Sequence, residues 1–231
     1  MKILCVSDQI DPLVYSSTIK DRFADVDLVL SAGDLPMDYL EFIVSSLNKP
    51  LLFVFGNHNL EEYRYYAAHR DIVNWEELFQ SPCTSGAVHV GFKVHREGDL
   101  IIAGLGGSLK YNRGENQYTD FQMNWAILKL IPAMLINRIF RGRFLDILLT
   151  HASPLGIHDK SDLCHRGFKA FLWFMKVFKP KYLIHGHIHL YDLSAVRSTR
   201  YRDTLVLNAY SHYVIDTGNN TDHTIPEKPH A

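Results

Sequence analysis

The chain has 231 residues, of which 47% are hydrophobic and 21% are charged, and its formal net charge is −1 at pH 7. This composition is typical of a globular protein and excludes a disordered chain, a collagen and a coiled coil. Because the charge is nearly neutral, the chain lacks the basic field that would hold long nucleic acid or an anionic membrane, and we expect neither as a partner.

Predicted strands begin at the second residue and recur as short hydrophobic runs that end in polar or glycine-containing residues. Continuous apolar runs of this kind indicate strands that are buried on both faces. The predicted strands span residues 2–7, 28–32, 51–55, 100–103, 144–150, 182–185, 205–207 and 213–215. Helical patterns over residues 12–23, 39–47 and 60–70 separate the early strands, and this alternation predicts a layered α/β fold.

A longer helix is predicted from Thr119 to Arg141, with Pro132 kinking its middle. Apolar side chains recur at three- and four-residue steps along one face of this helix, namely Phe121, Trp125, Leu128, Leu135 and Ile139. Such a stripe favours burial under a neighbouring layer, with a homo-oligomer surface or a hydrophobic lid as the alternatives. A second helix, over residues 167–179, carries a comparable apolar stripe.

The chain is predicted to form one domain over residues 1–216, followed by a flexible polar tail over residues 217–231. Its three cysteines are widely spaced, which favours a reducing compartment over a disulfide framework. The first residues hold no signal-peptide core, and the longest apolar stretch, residues 126–140, is interrupted by polar residues and is shorter than a bilayer span. We therefore expect a cytoplasmic protein without a membrane partner.

The candidate chemistry lies in the residues that end the predicted strands. In chain order these are Asp8, Gly33-Asp34, Gly56-Asn57-His58, Thr150-His151 and Gly186-His187-Ile188-His189. Ligands of open α/β sheets bind at the carboxyl ends of the strands, so we expect these residues to converge on one site. The set combines oxygen and nitrogen donors without thiolates, which suits Mn²⁺, Fe or Zn²⁺, and Asp34 could bridge two ions.

This ordered set resembles the motifs of the calcineurin-like metallophosphoesterases. The blocks of that family are Asp-x-His, Gly-Asp, Gly-Asn-His followed by an acid, a lone His, and Gly-His-x-His. The resemblance runs from Met1 to about His189. It implies a four-layer sandwich of two mixed β-sheets flanked by helices, with a two-metal centre at the edge of the sheets.

The resemblance also assigns roles to individual residues. Asp8, Asp34 and His189 would hold the first of two divalent metal ions. The second ion would be held by Asp34, Asn57, His151 and His187. Mn²⁺ is the expected metal, with Fe or Zn²⁺ as alternatives. His58 would be the catalytic residue, as a general acid or as a donor to the phosphate.

Two positions depart from the family pattern. Ile10 stands where the histidine of Asp-x-His would be, and an isoleucine cannot coordinate a metal, so the first metal site is expected to be weak. Asp11 could replace the missing ligand, or could instead cap the helix that follows Pro12, and the sequence does not separate these two interpretations. Asn59 stands where the family has an acid that would orient His58.

A narrower resemblance is to a prokaryotic subgroup of these phosphoesterases that has Asp-x-x-Asp-Pro in place of Asp-x-His. It rests on GLGGSLKYNRGENQYTDFQM, from Gly104 to Met123, and on HASPLGIHDKSDLCHRGF, from His151 to Phe168. The two segments contain polar side chains that could contact the substrate. The candidates for substrate binding are Arg113, His158 and His165.

The sequence therefore predicts a metal-dependent phosphoesterase in which a metal-bound hydroxide attacks the phosphorus of a phosphodiester or phosphomonoester. Its expected substrate is a small phosphoester, with a nucleotide among the candidates. The alternative is a catalytically degraded scaffold of this fold that binds a partner protein, which the missing histidine favours. A nuclease acting on DNA ends is disfavoured by the near-neutral charge.

Overall fold

The computed structural model describes residues 1–63, 66, 86–192 and 195–217. Its strands, in chain order, are β1 (Lys2–Ser7), β2 (Leu28–Ser31), β3 (Leu51–Phe53), β4 (Ala87–His89), β5 (Val94–Glu97), β6 (Leu100–Leu105), β7 (Ser108–Leu109), β8 (Gln117–Tyr118), β9 (Ile147–Thr150), β10 (Tyr182–His185), β11 (Ser198–Tyr201), β12 (Thr204–Asn208) and β13 (Ser211–Asp216). Its helices are α1 (Ile19–Arg22), α2 (Met37–Leu47), α3 (Asp120–Arg141) and α4 (Lys169–Phe178).

Two large mixed sheets form the centre of the fold. The first has the strand order β13-β1-β2-β3-β4, in which β13 is antiparallel and the other four strands are parallel. The second has the order β11-β12-β10-β9-β6-β5, with a parallel centre and an antiparallel strand at each edge. The parallel strands of each sheet therefore end at a common edge, where loops follow their carboxyl ends.

Three apolar layers hold the sandwich together. The layer between the sheets is made of β-branched and leucine side chains from both, such as Ile3, Leu52, Ile147 and Ile184. A second layer packs α1 and α2 on the outside of the first sheet, and a third packs α3 and α4 on the outside of the second. Each fully buried aliphatic side chain stabilises the fold by roughly 1.5–3 kcal/mol. The predicted four-layer α/β sandwich is confirmed.

The eight predicted strands are all present, with ends that shift by up to three residues. Five further strands were not predicted: β4, β5, β7, β8 and β11. Three of these, β4, β5 and β11, are edge strands of only three or four residues that include polar side chains, so they lack the continuous apolar runs that mark the central strands. The other two pair only over two residues.

The helix predicted over residues 12–23 is reduced to α1, because the backbone turns after Asp11 and the helix begins only at Ile19. Of the helix predicted over residues 60–70, residues 64, 65 and 67–70 lie outside the described residues, and so does all of the predicted polar tail except residue 217.

Helix α3 is where the sequence prediction fails most clearly. Its start is well specified, because Thr119 and Gln122 form a reciprocal capping box. The predicted core stripe, however, faces solvent, and Phe121 and Ile139 are 79% and 76% exposed. The core contacts come from the opposite side of the helix, through Met123, Ile127, Leu130 and Met134. By length and composition alone α3 could cross a membrane, contrary to the expectation that this stretch is too short.

Candidate metal centre

The carboxyl ends of the parallel strands bring the predicted ligands together. Asp8 and Asp34 follow β1 and β2, while His151 follows β9 directly in the second sheet. The backbone nitrogen of Asp8 donates to the oxygen of Gly33 at 3.1 Å, which fixes the first two strand ends side by side. His151 joins the sheets, because its Nδ1 donates to the carbonyl oxygen of Ala32 at 2.8 Å.

Asp34, His151 and His187 form a compact cluster in which one ligand atom from each residue lies within 4.8 Å of the others. Asn57 completes the group, since its Oδ1 lies 3.1 Å from His151 Nε2. The second nitrogen of His187, Nε2, donates to the carbonyl oxygen of Cys164 at 2.8 Å and leaves Nδ1 free for the cluster. These four residues are the ones predicted for the second metal.

Asp8 and His189, predicted for the first metal, lie beside this cluster. His189 Nε2 is 3.8 Å from Asp8 Oδ1, and both Asp8 carboxylate oxygens accept from the backbone nitrogen of His187. His189 is held in place by two aromatic side chains. Its Nδ1 hydrogen bonds with the hydroxyl of Tyr191 at 2.6 Å, and its ring stacks on Tyr210 at 5.1 Å.

Backbone strain is concentrated at this site. Asp8, Asp34 and His187 all have left-handed backbones, with φ of 64°, 58° and 65°. Such conformations are uncommon for residues other than glycine and cluster at functional sites. Gly56 permits the close approach of the two sheets, because a Cβ there would collide with Asp34 Oδ1 and would lie 2.6 Å from His151 Cε1.

The electrostatics of the site are dominated by buried carboxylates. Burial raises the pKa of Asp8, and the neighbouring Asp34 carboxylate adds to this rise. Burial alone would lower the pKa of His151, but Asp34 outweighs it and raises the pKa to about 9. Burial alone would raise the pKa of Asp34, but His151 outweighs it and holds that pKa well below its usual range. Burial and the neighbouring His151 lower the pKa of His187 to about 3.

The donor set fits divalent metal ions. The side chain of Asp8 is fully buried and that of Asp34 is 8% exposed, and buried carboxylates are costly unless cations compensate them. Neutral His187 is ready to coordinate, and the Asn57 amide adds an oxygen without further negative charge. Carboxylate, imidazole and amide donors without thiolate are the ligands that Mn²⁺, Fe and Zn²⁺ accept.

We expect metal binding to be strongly pH-dependent below about pH 9, because a metal must displace the proton that Asp34 keeps on His151. The apparent affinity for Mn²⁺ should rise about tenfold per pH unit between about pH 6 and 8, with release of about one proton. Isothermal titration calorimetry in buffers of different ionisation enthalpy measures this release. The His151→Gln protein should show weak and nearly pH-independent binding, whereas a flat profile in the unmodified protein would contradict the assignment.

His58 and Asn59 lie at the rim of the cluster. The backbone nitrogen of His58 donates to Asp34 Oδ1 at 2.8 Å, and its side chain is exposed to solvent. Asn59 does not reach His58; its Nδ2 donates to the carbonyl oxygen of Asp34 at 3.0 Å, from a left-handed backbone with φ of 50°. Asparagine suits both features, because it tolerates this backbone conformation and supplies a donor that an acid lacks.

In the Asp-x-x-Asp segment, the carboxylates of Asp8 and Asp11 are not arranged as a pair of metal ligands. Ile10 is 43% exposed, and the carboxylate of Asp11 contacts β13, the strand that pairs with β1. Its Oδ2 accepts from Ser211 Oγ and from His212 Nδ1, both at 2.5 Å, and its Oδ1 accepts from the backbone nitrogen of Leu13 at 2.7 Å. These contacts tie the segment after β1 to β13. They favour a structural role for Asp11 over a role as metal ligand, but this role is not the predicted helix cap, because α1 begins only at Ile19.

The Asp11→Asn protein should be destabilised by about 1–2 kcal/mol at pH 7, since it weakens three hydrogen bonds to a charged group. Burial alone would raise the pKa of Asp11, but the bonds from Ser211 and His212 outweigh it and lower the pKa. Its stabilising contribution is therefore present above about pH 4 and is lost as the pH falls through the lowered folded-state pKa.

Urea denaturation at about pH 7 and 3 tests this expectation, because the difference between the two proteins should shrink at the lower pH. Metal affinity measured in parallel separates the two interpretations of Asp11. A loss of Mn²⁺ affinity as large as that of Asp34→Asn would make Asp11 a ligand.

The three residues predicted to contact substrate lie in different surroundings. His158 and Lys160 line a cleft of about 400 Å³ beside His189, and His158 is held by hydrogen bonds to His185 and Thr199. His165 pairs with Asp162 at 2.8 Å, and its ring lies 5.4 Å from that of His187. Arg113 is exposed on the loop between β7 and β8.

Sequence reasoning missed several residues that position the ligands. Tyr111 accepts from Asn57 Nδ2 at 3.2 Å, which orients the amide with its oxygen toward His151. Asn116 Nδ2 donates to the carbonyl oxygen of Gly56 at 2.6 Å and anchors the same loop. The tyrosines around His189 were also missed, although Tyr191 follows it by two residues, which is a signal the sequence does contain.

Comparison with known proteins places this geometry in context. A family model described as calcineurin-like phosphoesterase matches residues 1–191. One solved structure aligns with a TM-score of 0.64 at 14% identity, covering 94% of this chain and 95% of its own. The protein TT1561 of Thermus thermophilus aligns with a TM-score of 0.59 at 13% identity, covering 91% of this chain and 89% of its own. No curated protein sequence matches the chain significantly. At these identities, the structural likeness shows the fold alone.

Proposed function

Because the chain belongs to the calcineurin-like phosphoesterase family, we propose that it hydrolyses a phosphodiester or phosphomonoester at a centre for two divalent metal ions. The observation that carries this proposal is the cluster of Asp34, His151 and His187, with ligand atoms within 4.8 Å of one another. Asn57 lies on one side of it, and Asp8 with His189 on the other. Two carboxylates buried at one sheet edge, Asp8 and Asp34, repel each other and are costly unless cations compensate them.

Divalent ions bound at such a centre would lower the pKa of a water molecule and would neutralise negative charge on the phosphoryl oxygens of the substrate. The residues of the chain prepare the site for this chemistry. Ala32 and Cys164 orient the two histidine rings through their carbonyl oxygens, and Tyr111 orients the Asn57 amide. His58 is placed at the rim with an exposed imidazole, where it could donate a proton to the leaving oxygen.

The substrate we propose is a small phosphoester, with nucleotides among the candidates. The cleft beside His189 supports this, because its volume of about 400 Å³ suits a small molecule and Lys160 and His189 are among the polar residues that line it. Mn²⁺ remains our first choice of metal, with Fe or Zn²⁺ as alternatives.

A scaffold that binds a partner protein is the second candidate. Ile10 cannot coordinate a metal, and the carboxylate of Asp11 is engaged by Ser211 and His212. Within the described part of the chain, the ligand candidates of the first metal site are therefore Asp8, Asp34 and His189. A first site with so few ligands favours the scaffold.

Hydrolysis of an aryl phosphodiester by metal-stripped protein, with Mn²⁺ added back, separates the two candidates. Activity that returns with Mn²⁺ and is lost in Asn57→Ala, but kept in Asn124→Ala on α3, would support the phosphoesterase. A folded protein that stays inactive with Mn²⁺, Fe²⁺ and Zn²⁺ on diesters and monoesters would favour the scaffold.

A further inference from the structure

The outer face of α3 is unusually apolar for a surface that meets solvent. Seven large hydrophobic side chains on this helix are between 46% and 80% exposed: Phe121, Trp125, Leu128, Leu135, Ile136, Ile139 and Phe140. Single exposed hydrophobic residues are normal, but a continuous stripe along a helix of 22 residues, about 33 Å long, marks an interaction surface. We call these seven residues the α3 stripe.

The charges around the α3 stripe are nearly all positive. On α3, Lys129 lies beside the stripe, whereas Arg138 and Arg141 lie in line with the buried face of the helix, near its C-terminal end. The acid of α3, Asp120, accepts a hydrogen bond from the backbone nitrogen of Ala170 at the start of α4. The neighbouring helix α4 has no acidic residue, and among its exposed side chains are two lysines, Lys169 and Lys176, and two apolar groups, Trp173 and Val177. Asp99 approaches Arg141 at 3.5 Å, at the far end of the stripe.

The helix does not fit a transmembrane role while the domain is folded. Although its length and composition would allow it to cross a bilayer, its inner stripe is packed in the core of the outer layer. Met123, Ile127 and Met134 are completely buried there. Crossing a membrane would strip these contacts from the second sheet, so the arrangement is that of a helix lying in the plane of an interface.

A second copy of the chain is a poor occupant of this surface. A two-fold symmetric dimer places the same patch against itself, so Lys129, Lys169 and Lys176 would face a surface that again carries lysines. An anionic lipid surface has none of this repulsion. It accepts large apolar and tryptophan side chains at the boundary between headgroups and acyl chains, and it attracts lysine and arginine beside them.

We propose that the α3 stripe and the basic side chains around it form a docking face for an anionic lipid bilayer. This departs from the prediction, based on net charge, that the protein has no membrane partner. A net charge of −1 describes the whole chain, whereas membrane binding depends on the charge of the face that meets the lipid. The inference does not depend on the proposed phosphoesterase activity.

Co-sedimentation of the full chain with lipid vesicles tests the proposal. The protein should bind vesicles that contain one quarter phosphatidylglycerol in phosphatidylcholine, bind pure phosphatidylcholine much more weakly, and dissociate as salt is raised. Removal of two charges in Lys129→Gln with Lys176→Gln should weaken binding roughly thirtyfold. Phe121→Ser with Phe140→Ser should abolish binding, because both side chains are among the most exposed of the stripe.

The matched control removes two positive charges from the opposite outer layer of the sandwich. Lys20→Gln with Arg22→Gln on α1 should leave vesicle binding unchanged. All the changed side chains are exposed or half-exposed, and thermal melting confirms that each variant folds. The proposal would be overturned if both charge-removing double variants weakened vesicle binding equally, or if the protein showed no preference for anionic vesicles. So would a protein that ignores vesicles but forms a dimer disrupted by Phe121→Ser with Phe140→Ser, which would make the stripe an interface between copies.

Discussion

Replacement of Asp34 by asparagine is expected to lower kcat/KM for Mn²⁺-dependent phosphoester hydrolysis by on the order of a thousandfold, and to weaken Mn²⁺ binding in parallel. The substitution keeps the size of the side chain and removes one negative charge. Asp34 is the carboxylate of the cluster with His151 and His187, and it is the residue that family resemblance assigns to both metals.

The substitution has two opposing effects on metal binding. A neutral amide at Asp34 offers less charge to each cation, and it also removes the partner that raises the pKa of His151. The second effect favours metal binding slightly, because His151 then gives up its proton more readily, but the lost carboxylate should dominate. The pH dependence of Mn²⁺ binding should therefore flatten in the same variant in which affinity falls.

Asp38→Asn is the matched control, because Asp38 lies four residues away on α2 and is exposed. It should leave kcat/KM and Mn²⁺ affinity unchanged. If Asp34→Asn kept full activity while remaining folded, the cluster would not be the catalytic centre. If it lost activity but bound Mn²⁺ as tightly as before, its role would lie outside metal binding.

The central strands and their polar ends could be predicted from the sequence because both are local signals. A buried parallel strand is a continuous apolar run, and the ligands follow such runs directly, as Asp34 and His151 do. The edge strands β4, β5 and β11 were missed because one side of their ladder is open and their short sequences contain polar residues, so they form no continuous apolar run. The residues that orient the ligands, such as Tyr111 and Asn116, come from a loop that no local pattern links to the strand ends.

Helix α3 shows why composition does not determine which face is buried. Both faces of the helix are apolar, and the stripe with the larger side chains, including Phe121 and Trp125, is the exposed one. The buried face uses Met123 and Ile127, which fit the outer surface of the second sheet. Which face of a helix is buried depends on how well its side chains fit the layer beneath it. The spacing of hydrophobic residues along the sequence carries no information about that fit.

Asp11 illustrates the same limit at the site. Its spacing from Asp8 is compatible with a ligand, and only the position of β13 reveals that its carboxylate meets Ser211 and His212. Because β13 follows β1 by about two hundred residues, this pairing is a long-range contact that the local sequence does not encode. The local sequence therefore leaves both interpretations of Asp11 open.

His58→Gln is expected to lower kcat by about a hundredfold or more for an alkyl phosphodiester, and by less than about tenfold for an aryl phosphodiester. A poor leaving group such as an alkoxide needs a proton as the bond to phosphorus breaks, whereas an aryl oxide leaves readily without one. The exposed imidazole of His58 is the candidate donor at the rim of the cluster, and glutamine retains its size and polarity while it cannot donate an acidic proton.

The comparison of two leaving groups distinguishes proton donation from metal binding or folding, which would lower both rates equally. Mn²⁺ affinity should stay unchanged, because His58 contacts Asp34 through its backbone nitrogen, and glutamine keeps that bond. His95→Gln, on the distant edge strand β5, is the control histidine and should affect neither rate. Equal loss on both substrates would assign His58 to phosphate binding, whereas no loss on either would leave water as the proton donor. Asn59 stands where the family pattern has an acid, and its carboxamide donates to the backbone of Asp34. The imidazole of His58 is therefore expected to donate its proton without an orienting acid at that position.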